Sequence, residues 1–246
     1  MLTSEKISTI KSQVVLLANK LNQKKNGQVV HHLKDDGSEM THLDQDIHDL
    51  LEKFLGSPIL SEEGEHQLNF PTYILDPIDG TRDLAMGLAE CSLSLAYLHG
   101  PNIQDAKGLI FNPFTGFSLS TEDEFSSLLT RPVTQVAPWS GVVSRSEYEK
   151  GLFRFVAGND QVRVVPRGSI AFKLGLLASG ACDFVVTLQP KNIWDIAAGT
   201  ILCSQRGIKL YAPRGEISSF NSIRFSGPLL WCRPELRDFL WNIFNP

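Results

Sequence analysis

Residues 73–81, Tyr-Ile-Leu-Asp-Pro-Ile-Asp-Gly-Thr, determine how the rest of this chain is organised. The apolar residues 73–75 predict the end of a buried strand, and the Asp-Pro and Asp-Gly pairs that follow predict a turn. The proline restrains Asp76 to an extended conformation, so the carboxylates of Asp76 and Asp79 can converge with the Ile78 carbonyl between them. Hard divalent cations bind oxygen ligands of this kind. The stretch therefore predicts a metal site, with a purely structural turn as the alternative.

Gly80 and the residues after it predict an anion site beside the metal. Gly80 allows close backbone approach, and residues 81–86 can begin a helix whose free N–H groups suit a phosphate. Acids also follow two other predicted elements, in residues 59–65 (Ile-Leu-Ser-Glu-Glu-Gly-Glu) and residues 192–199 (Asn-Ile-Trp-Asp-Ile-Ala-Ala-Gly). Acid-bearing ends on several elements favour a functional site over an isolated turn.

These motifs resemble those of the inositol monophosphatase superfamily of metal-dependent phosphatases. The resemblance covers roughly residues 30–200 and rests on segments in the family's order: residues 34–44 (KDDGSEMTHLD), 61–63 (SEE), 76–81 (DPIDGT) and 194–199 (WDIAAG). It implies a layered αβαβα sugar-phosphatase fold of mixed α+β and α/β class. It also implies two or three Mg²⁺ ions as cofactors, a small phosphorylated metabolite as substrate, and a homodimer.

The resemblance further implies roles for individual residues. The metal ligands would be Glu62, Asp76, the Ile78 carbonyl, Asp79 and Asp195. Thr81, hydrogen-bonded to Asp44 or Glu62, would orient or deprotonate the attacking water. The Gly80 and Thr81 amides would hold a phosphate oxygen, and residues 34–38 would form a loop that approaches the metals.

Residue 188 bears on the choice of substrate. In inositol-specific members of the family, an acid seven residues before the final Asp contacts the ring hydroxyls, whereas this chain has Leu188 there. Residues 144–146 (Ser-Arg-Ser) and 190–195 (Pro-Lys-Asn-Ile-Trp-Asp) resemble instead the branch that removes the 3′-phosphate from adenosine 3′,5′-bisphosphate. That branch usually has His at the position of Glu147.

Arg145, Arg167 and Lys173 are candidates for binding the second phosphate of such a substrate. We therefore expect a 3′(2′),5′-bisphosphate nucleotidase that converts adenosine 3′,5′-bisphosphate to AMP. The alternatives are an inositol-1-monophosphatase, and a catalytically weak protein that binds metal and a phosphorylated ligand as a sensor.

The composition argues against several other classes of protein. The net charge is −4, and the sequence has no basic stripe with interleaved aromatic residues, so we expect no nucleic-acid partner. No apolar run approaches the ~20 residues of a membrane span, and the N-terminus lacks a signal-peptide pattern. We expect a cytoplasmic protein without a membrane partner, whose scattered cysteines are reduced core thiols.

Hydrophobic periodicity places the N-terminal elements. It predicts a first helix over residues 4–21, a strand over residues 91–99, and an antiparallel hairpin of residues 107–111 with residues 117–120. Asp44 is the predicted N-cap of a second helix. The histidines near it are expected to be solvated rather than zinc ligands: His31, His32, His42 and His48.

Residues 134–141 are the best candidate for a boundary between two halves. Residues 1–137 would form an α+β half with an antiparallel sheet and most of the metal ligands. Residues 138–246 would form an α/β half with the last metal ligand and the substrate contacts. In this half we predict a strand that leads into a loop at residues 144–147, and a helix capped by Ser169.

Overall fold

The computed structural model of the chain describes residues 1–24, 31–33, 39–64, 66–124 and 138–244. Its helices, in chain order, are α1 (Ser4–Lys24), α2 (His42–Leu55), α3 (Thr81–Ala85), α4 (Arg145–Glu149), α5 (Ile170–Ala178), α6 (Ile193–Ser204) and α7 (Arg237–Phe244). None of these helices combines the length and the apolar character that a bilayer crossing requires.

The strands of the described residues, in chain order, are β1 (His31–Leu33), β2 (Glu39–Thr41), β3 (Ile59–Ser61), β4 (Thr72–Asp79), β5 (Ser92–Leu98), β6 (Lys107–Phe111), β7 (Ser118–Ser120), β8 (Trp139–Ser144), β9 (Val162–Arg167), β10 (Phe184–Thr187), β11 (Lys191–Asn192), β12 (Lys209–Ala212), β13 (Gly215–Ile217), β14 (Arg224–Phe225) and β15 (Leu229–Cys232).

Two mixed sheets contain most of these strands. The first is a five-stranded sheet with the order β3-β4-β5-β6-β7, in which only β3 and β4 are parallel. The second is a six-stranded sheet with the order β13-β12-β15-β10-β8-β9, in which β10, β8 and β9 are parallel. The remaining strands form the short antiparallel pairs β1-β2 and β11-β14.

Helices cover both outer faces of the two sheets and fill the space between them. Apolar residues of α1 and α2 pack on the outer face of the first sheet, and those of α7 pack on the outer face of the second. α5 and α6 lie in the central layer, where one apolar cluster joins residues of both sheets. The predicted αβαβα layering is therefore confirmed.

Alternating side chains along the strands produce these layers. In β4, Tyr73 packs with α1 and α2, whereas its neighbour Ile74 packs with the central helices. In β10, Val185 belongs to the central layer and Val186 to the layer of α7. This is the twofold side-chain period of strands that are buried on both faces.

Several predicted elements are confirmed and two predictions are wrong. The first helix, the strand after residue 91, the hairpin and the Ser169-capped helix correspond to α1, β5, β6-β7 and α5. However, β4 continues to Asp79 instead of ending at residue 75, and residues 145–149 form α4 instead of a loop. The buried carboxylate of Glu147 supports α4, because it accepts a hydrogen bond of 2.8 Å from the Leu188 amide.

Two predictions involve residues outside the described ranges. The loop at residues 34–38 lies wholly outside them, and so do residues 134–137 of the boundary. The division into residues 1–137 and 138–246 stays a prediction.

Candidate active site

The centre of the site is an irregular step near the end of β4. In the ladder with β5, Asp76 and Asp79 both pair with serines, and the register shifts between them. Pro77 and Ile78 occupy this step, where the missing N–H of proline is tolerated. The chain thus continues as a strand where we predicted a turn. Even so, Asp76 and Asp79 line one cavity, as predicted.

Three other elements bring carboxylates to the same place. β3 runs parallel to β4, so Glu62 and Glu63 leave the sheet beside the end of β4. Asp195 lies in the first turn of α6, where its Oδ2 accepts a hydrogen bond of 2.9 Å from the Asn192 amide. Asp44 lies in the first turn of α2. Strand ends and helix starts therefore meet at one point.

These elements enclose a cavity of about 150 Å³. Its lining consists of Asp44, Glu62, Glu63, Asp76, Ile78, Asp79, Gly80, Thr81 and Asp195. Every residue predicted as a metal ligand or a catalytic group is in this lining. Glu63 was not predicted, although it stands next to Glu62, because the sequence does not fix which of two neighbouring acids turns inward after β3.

Asp44 and His48 correct two details of the sequence interpretation. α2 begins at His42, so Asp44 lies within the first turn and is not the N-cap. His48 is buried rather than solvated, and its Nδ1 is 3.1 Å from Ser61 Oγ. This contact holds the end of β3 against α2, just before Glu62.

The cavity brings several negatively charged side chains close together. The pKa of Asp76 is raised well above its usual value, first by burial and then by repulsion from Asp79, Asp195, Asp44 and Glu63. Burial and the charge of Asp79 raise the pKa of Asp195 to about 7. A buried carboxylate that lies beside other carboxylates is unfavourable until a cation balances it.

The donor set fits Mg²⁺. Carboxylate oxygens and a backbone carbonyl are the ligands that this hard cation prefers, and the raised pKa values of Asp76 and Asp195 indicate negative charge that the protein itself does not neutralise. Within the described part of the chain, no three His, Cys, Asp or Glu side chains are already closed around one point. The carboxylates surround the cavity instead.

Gly80 is required where α3 begins. Its φ of 97° is in the left-handed region, and a Cβ atom there would lie 2.9 Å from the Glu90 carbonyl oxygen and 3.0 Å from Ser169 Cβ. Any other residue would be strained and crowded. Because α3 has only five residues, a phosphate here would be held by local amide N–H groups rather than by a long helix dipole.

The basic residues proposed for the substrate do not line the cavity. Arg145 donates to Asp83 Oδ1 at 2.7 Å and to Glu90 Oε2, and Arg167 Nε lies 3.5 Å from Glu90 Oε1. Lys173 is buried and donates to the carbonyl oxygens that precede α5. Burial lowers the pKa of Lys173 to about 8, an effect that the charge of Asp79 opposes.

Lys191 is a basic residue near the site that the sequence interpretation missed. Its charge lowers the pKa values of both Asp79 and Asp195, in opposition to burial. It lies in β11, one residue before Asn192, which begins the capping box of α6. The signal was present, because a cation four residues before Asp195 lies within the motif that the prediction used.

The sequence matches the model of the inositol monophosphatase family over residues 5–230, and the chain belongs to this family. Among its relatives is the fructose-1,6-bisphosphatase/inositol-1-monophosphatase of Thermotoga maritima, which is 29% identical over 61% of this chain. That match spans 59% of the relative's length. The 3′(2′),5′-bisphosphate nucleotidase CysQ of Escherichia coli K12 is 26% identical over 65% of this chain and 68% of its own.

Solved structures share the fold. The Thermotoga maritima IMPase aligns with a TM-score of 0.73 at 22% identity, over 97% of this chain and 94% of its own. An IMPase/NADP phosphatase complexed with Mg²⁺ and phosphate aligns with a TM-score of 0.72 at 16% identity, over 98% of this chain and 94% of its own. At these identities the likeness establishes the architecture alone.

Proposed function

We propose that this chain is a Mg²⁺-dependent phosphomonoesterase that hydrolyses adenosine 3′,5′-bisphosphate to AMP. The observation that carries the proposal is the cavity to which four chain segments bring carboxylates. Three of these carboxylates, Asp76, Asp79 and Asp195, have raised pKa values. Family membership supports the reaction class. A relative that is complexed with Mg²⁺ and phosphate supports the cofactor.

The cavity residues divide into ligands and proton-handling groups. Glu62, Asp76, the Ile78 carbonyl, Asp79 and Asp195 would hold two or three Mg²⁺ ions. When bound, these ions would neutralise phosphoryl oxygens and lower the pKa of a water molecule. Thr81 would orient this water, and Asp44 or Glu62 would accept its proton. The Gly80 and Thr81 amides would hold a phosphoryl oxygen.

The bond changes are those of a simple hydrolysis. The water oxygen forms the new P–O bond while the ester P–O bond breaks. The released 3′-alkoxide takes a proton from solvent and becomes the ribose hydroxyl. No phosphorylated enzyme side chain is needed.

The surroundings of the cavity support a substrate with a second anionic group. Lys173 and Lys191 interact electrostatically with Asp79 and with each other, so positive charge adjoins the acidic cavity. Leu188 packs against the apolar cluster of α7 and presents no carboxylate for inositol hydroxyls. The similarity to CysQ supports a bisphosphate nucleotide.

Inositol 1-phosphate is the second candidate. The Thermotoga maritima relative is named as an inositol-1-monophosphatase, which supports this candidate. It is also named as a fructose-1,6-bisphosphatase, so fructose 1,6-bisphosphate is a further substrate to test. A sensor that binds metal and a phosphorylated ligand without turnover is the non-enzymatic alternative.

The test is phosphate release from adenosine 3′,5′-bisphosphate, inositol 1-phosphate and fructose 1,6-bisphosphate, each with Mg²⁺ and with chelator. We expect Mg²⁺-dependent release with the highest kcat/KM for the nucleotide. Asp79→Asn should reduce kcat/KM by more than about 100-fold and stay folded, because it removes a ligand charge while the amide oxygen can still accept the hydrogen bonds from Ser169 and the Ala171 amide. A higher kcat/KM for inositol 1-phosphate than for the nucleotide would overturn the proposed substrate. Metal binding without release from any ester would favour the sensor.

A further inference from the structure

Asp79 is held by the start of α5, a helix of the central layer. Ser169 Oγ donates to Asp79 Oδ2 at 2.6 Å, and the Ala171 amide donates to the same oxygen at 2.6 Å. Within the described residues, these are the hydrogen bonds to the Asp79 carboxylate, and both end on Oδ2. The other oxygen, Oδ1, accepts no hydrogen bond from the described part of the chain.

Ser169 adopts a backbone conformation that its capping role does not explain. It is the N-cap of α5, where its Oγ accepts a hydrogen bond of 2.9 Å from the Phe172 amide. Ser is a good N-cap at ordinary negative φ. Ser169 instead has φ 48° and ψ 117°, and it is the non-glycine residue with positive φ among the described residues. Such strain persists where the surroundings impose it, and it is often found at functional sites.

Neighbouring contacts impose this conformation. Glu90 Oε2 accepts a hydrogen bond of 2.8 Å from the Gly168 amide, which holds the backbone just before Ser169. Ser92 Oγ lies 3.2 Å from Ser169 Oγ, and Ser169 itself is buried. The hydroxyl is therefore fixed between its donor on α5 and its acceptor Asp79.

We propose that Ser169 is a positioning residue that fixes the Asp79 carboxylate for metal binding. Its hydroxyl donates to Oδ2, and its turn into α5 places the Ala171 amide so that it donates to the same oxygen. Oδ1 is then left as the ligand atom for the metal. Partners of this kind orient metal ligands and lower their freedom before the ion arrives. The inference rests on the proposed metal dependence of the cavity.

The test compares Ser169→Gly with Ser169→Ala. Glycine accepts the positive φ without strain but lacks the hydroxyl, whereas alanine lacks the hydroxyl and keeps the strain. Ser179→Ala is the matched control, because it removes a hydroxyl at the other end of α5 that donates only to the Leu176 carbonyl. Each protein is measured by calorimetric titration with Mn²⁺, by thermal melting in chelator, and by kcat and KM with adenosine 3′,5′-bisphosphate.

We expect Ser169→Gly to melt at least as high as Ser169→Ala, and both to bind Mn²⁺ about 10- to 100-fold more weakly than the wild type. Their kcat at fixed Mg²⁺ should fall and recover with added Mg²⁺, while KM for the nucleotide changes little. Ser179→Ala should bind Mn²⁺ like the wild type.

Wild-type Mn²⁺ affinity in Ser169→Gly would overturn the inference and leave the proposed function intact. Loss of Mn²⁺ binding together with loss of the folded state in both variants would also overturn it, because Ser169 would then be structural. A wild-type protein that binds no Mn²⁺ would overturn the proposed function itself.

Discussion

Lys191 lies one residue before the N-cap of α6, and its charge acts on Asp79, Asp195 and Lys173. The site is thus a cluster of carboxylates with a lysine beside them. The carboxylates suit metal ions, and the lysine suits an anionic group of the substrate that the metals do not reach.

Lys191→Met tests this division at the residue scale. We expect KM for adenosine 3′,5′-bisphosphate to rise about tenfold, because a charge-assisted hydrogen bond is worth about 1.5–3 kcal/mol. Hydrolysis of adenosine 3′-monophosphate, which lacks the second phosphate, should change by less than about twofold. Steady-state kinetics with both substrates provide the measurement.

Lys209→Met is the matched control, since Lys209 forms an exposed ion pair with Glu216 and, unlike Lys191, is not among the charges that shift the pKa values of Asp79 and Asp195. It should leave both substrates unaffected. If Lys191→Met raises KM equally for adenosine 3′,5′-bisphosphate and for adenosine 3′-monophosphate, Lys191 does not bind the second phosphate.

Residue identities at the site were largely predictable, because carboxylates at the ends of elements are visible in the sequence. The cations were not predictable in the same way. Arg145 stands in a recognisable Ser-Arg-Ser segment, yet the structure pairs it with Asp83 and Glu90. Which charge a flexible cation finds depends on tertiary contacts, and no local pattern encodes them.

At the scale of elements, α3 and α4 are joined by the ion pairs of Arg145. The guanidinium bridges the buried Asp83 of α3 and the partly buried Glu90, and Glu90 also holds the Gly168 amide before α5. These contacts raise the pKa of Arg145. Arg145 therefore connects the element that follows Gly80 with the turn that holds Asp79.

Arg145→Gln should consequently act on stability more than on substrate choice. We expect urea unfolding to show a loss of about 1–3 kcal/mol, because one buried and one partly buried carboxylate lose their charged donor. The ratio of kcat/KM for the bisphosphate to that for adenosine 3′-monophosphate should not change. Arg82→Gln breaks an exposed pair with Glu149 and should cost at most about 1 kcal/mol.

A selective loss of activity on the bisphosphate with unchanged stability in Arg145→Gln would contradict this account. It would return Arg145 to the role of a substrate contact that the sequence suggested.

Hydrophobic periodicity predicted the positions of several helices and strands, but it predicted the ends of some elements less accurately. β4 passes through Asp-Pro as an irregular strand, since pairing with β5 outweighs the turn preference of these residues. α4 forms where polar residues predicted a loop, because Glu147 is buried against the end of β10. In both cases the deciding contact is distant in sequence.

In the whole molecule, the two sheets share one apolar layer, and the acidic cavity is lined by residues between 44 and 81 together with Asp195. Its charge should make the stability of the metal-free protein depend on pH. The pKa of Asp195 is about 7 in the folded protein, whereas the ordinary value for an aspartate side chain, which applies to the unfolded chain, is 3.8. Because the folded pKa is raised, the stability that this proton contributes is lost as pH rises from about 4 to about 7.

Asp195→Asn tests the pH dependence. In chelator, the free energy of unfolding of the wild type should fall relative to the variant across this range, by up to about 1.4 kcal/mol per pH unit. Above pH 7 the metal-free variant should be the more stable protein. Chemical denaturation at several pH values gives the comparison.

Mg²⁺ should reverse that order. A ligand at 100 times its Kd stabilises the folded state by about 2.7 kcal/mol. The wild type should gain more of this stabilisation than Asp195→Asn, because the variant lacks one proposed metal ligand. Parallel pH profiles of wild type and Asp195→Asn in chelator would contradict the raised pKa.

We predict that the carboxylate cavity holds divalent metal ions, and anomalous X-ray scattering from crystals grown with Mn²⁺ would locate them. We predict anomalous peaks inside the cavity, beside Asp76, Asp79 and Asp195, and loss of peak height in Asp79→Asn crystals. Mn²⁺ peaks elsewhere, with only water between these carboxylates in crystals of active protein, would contradict the account.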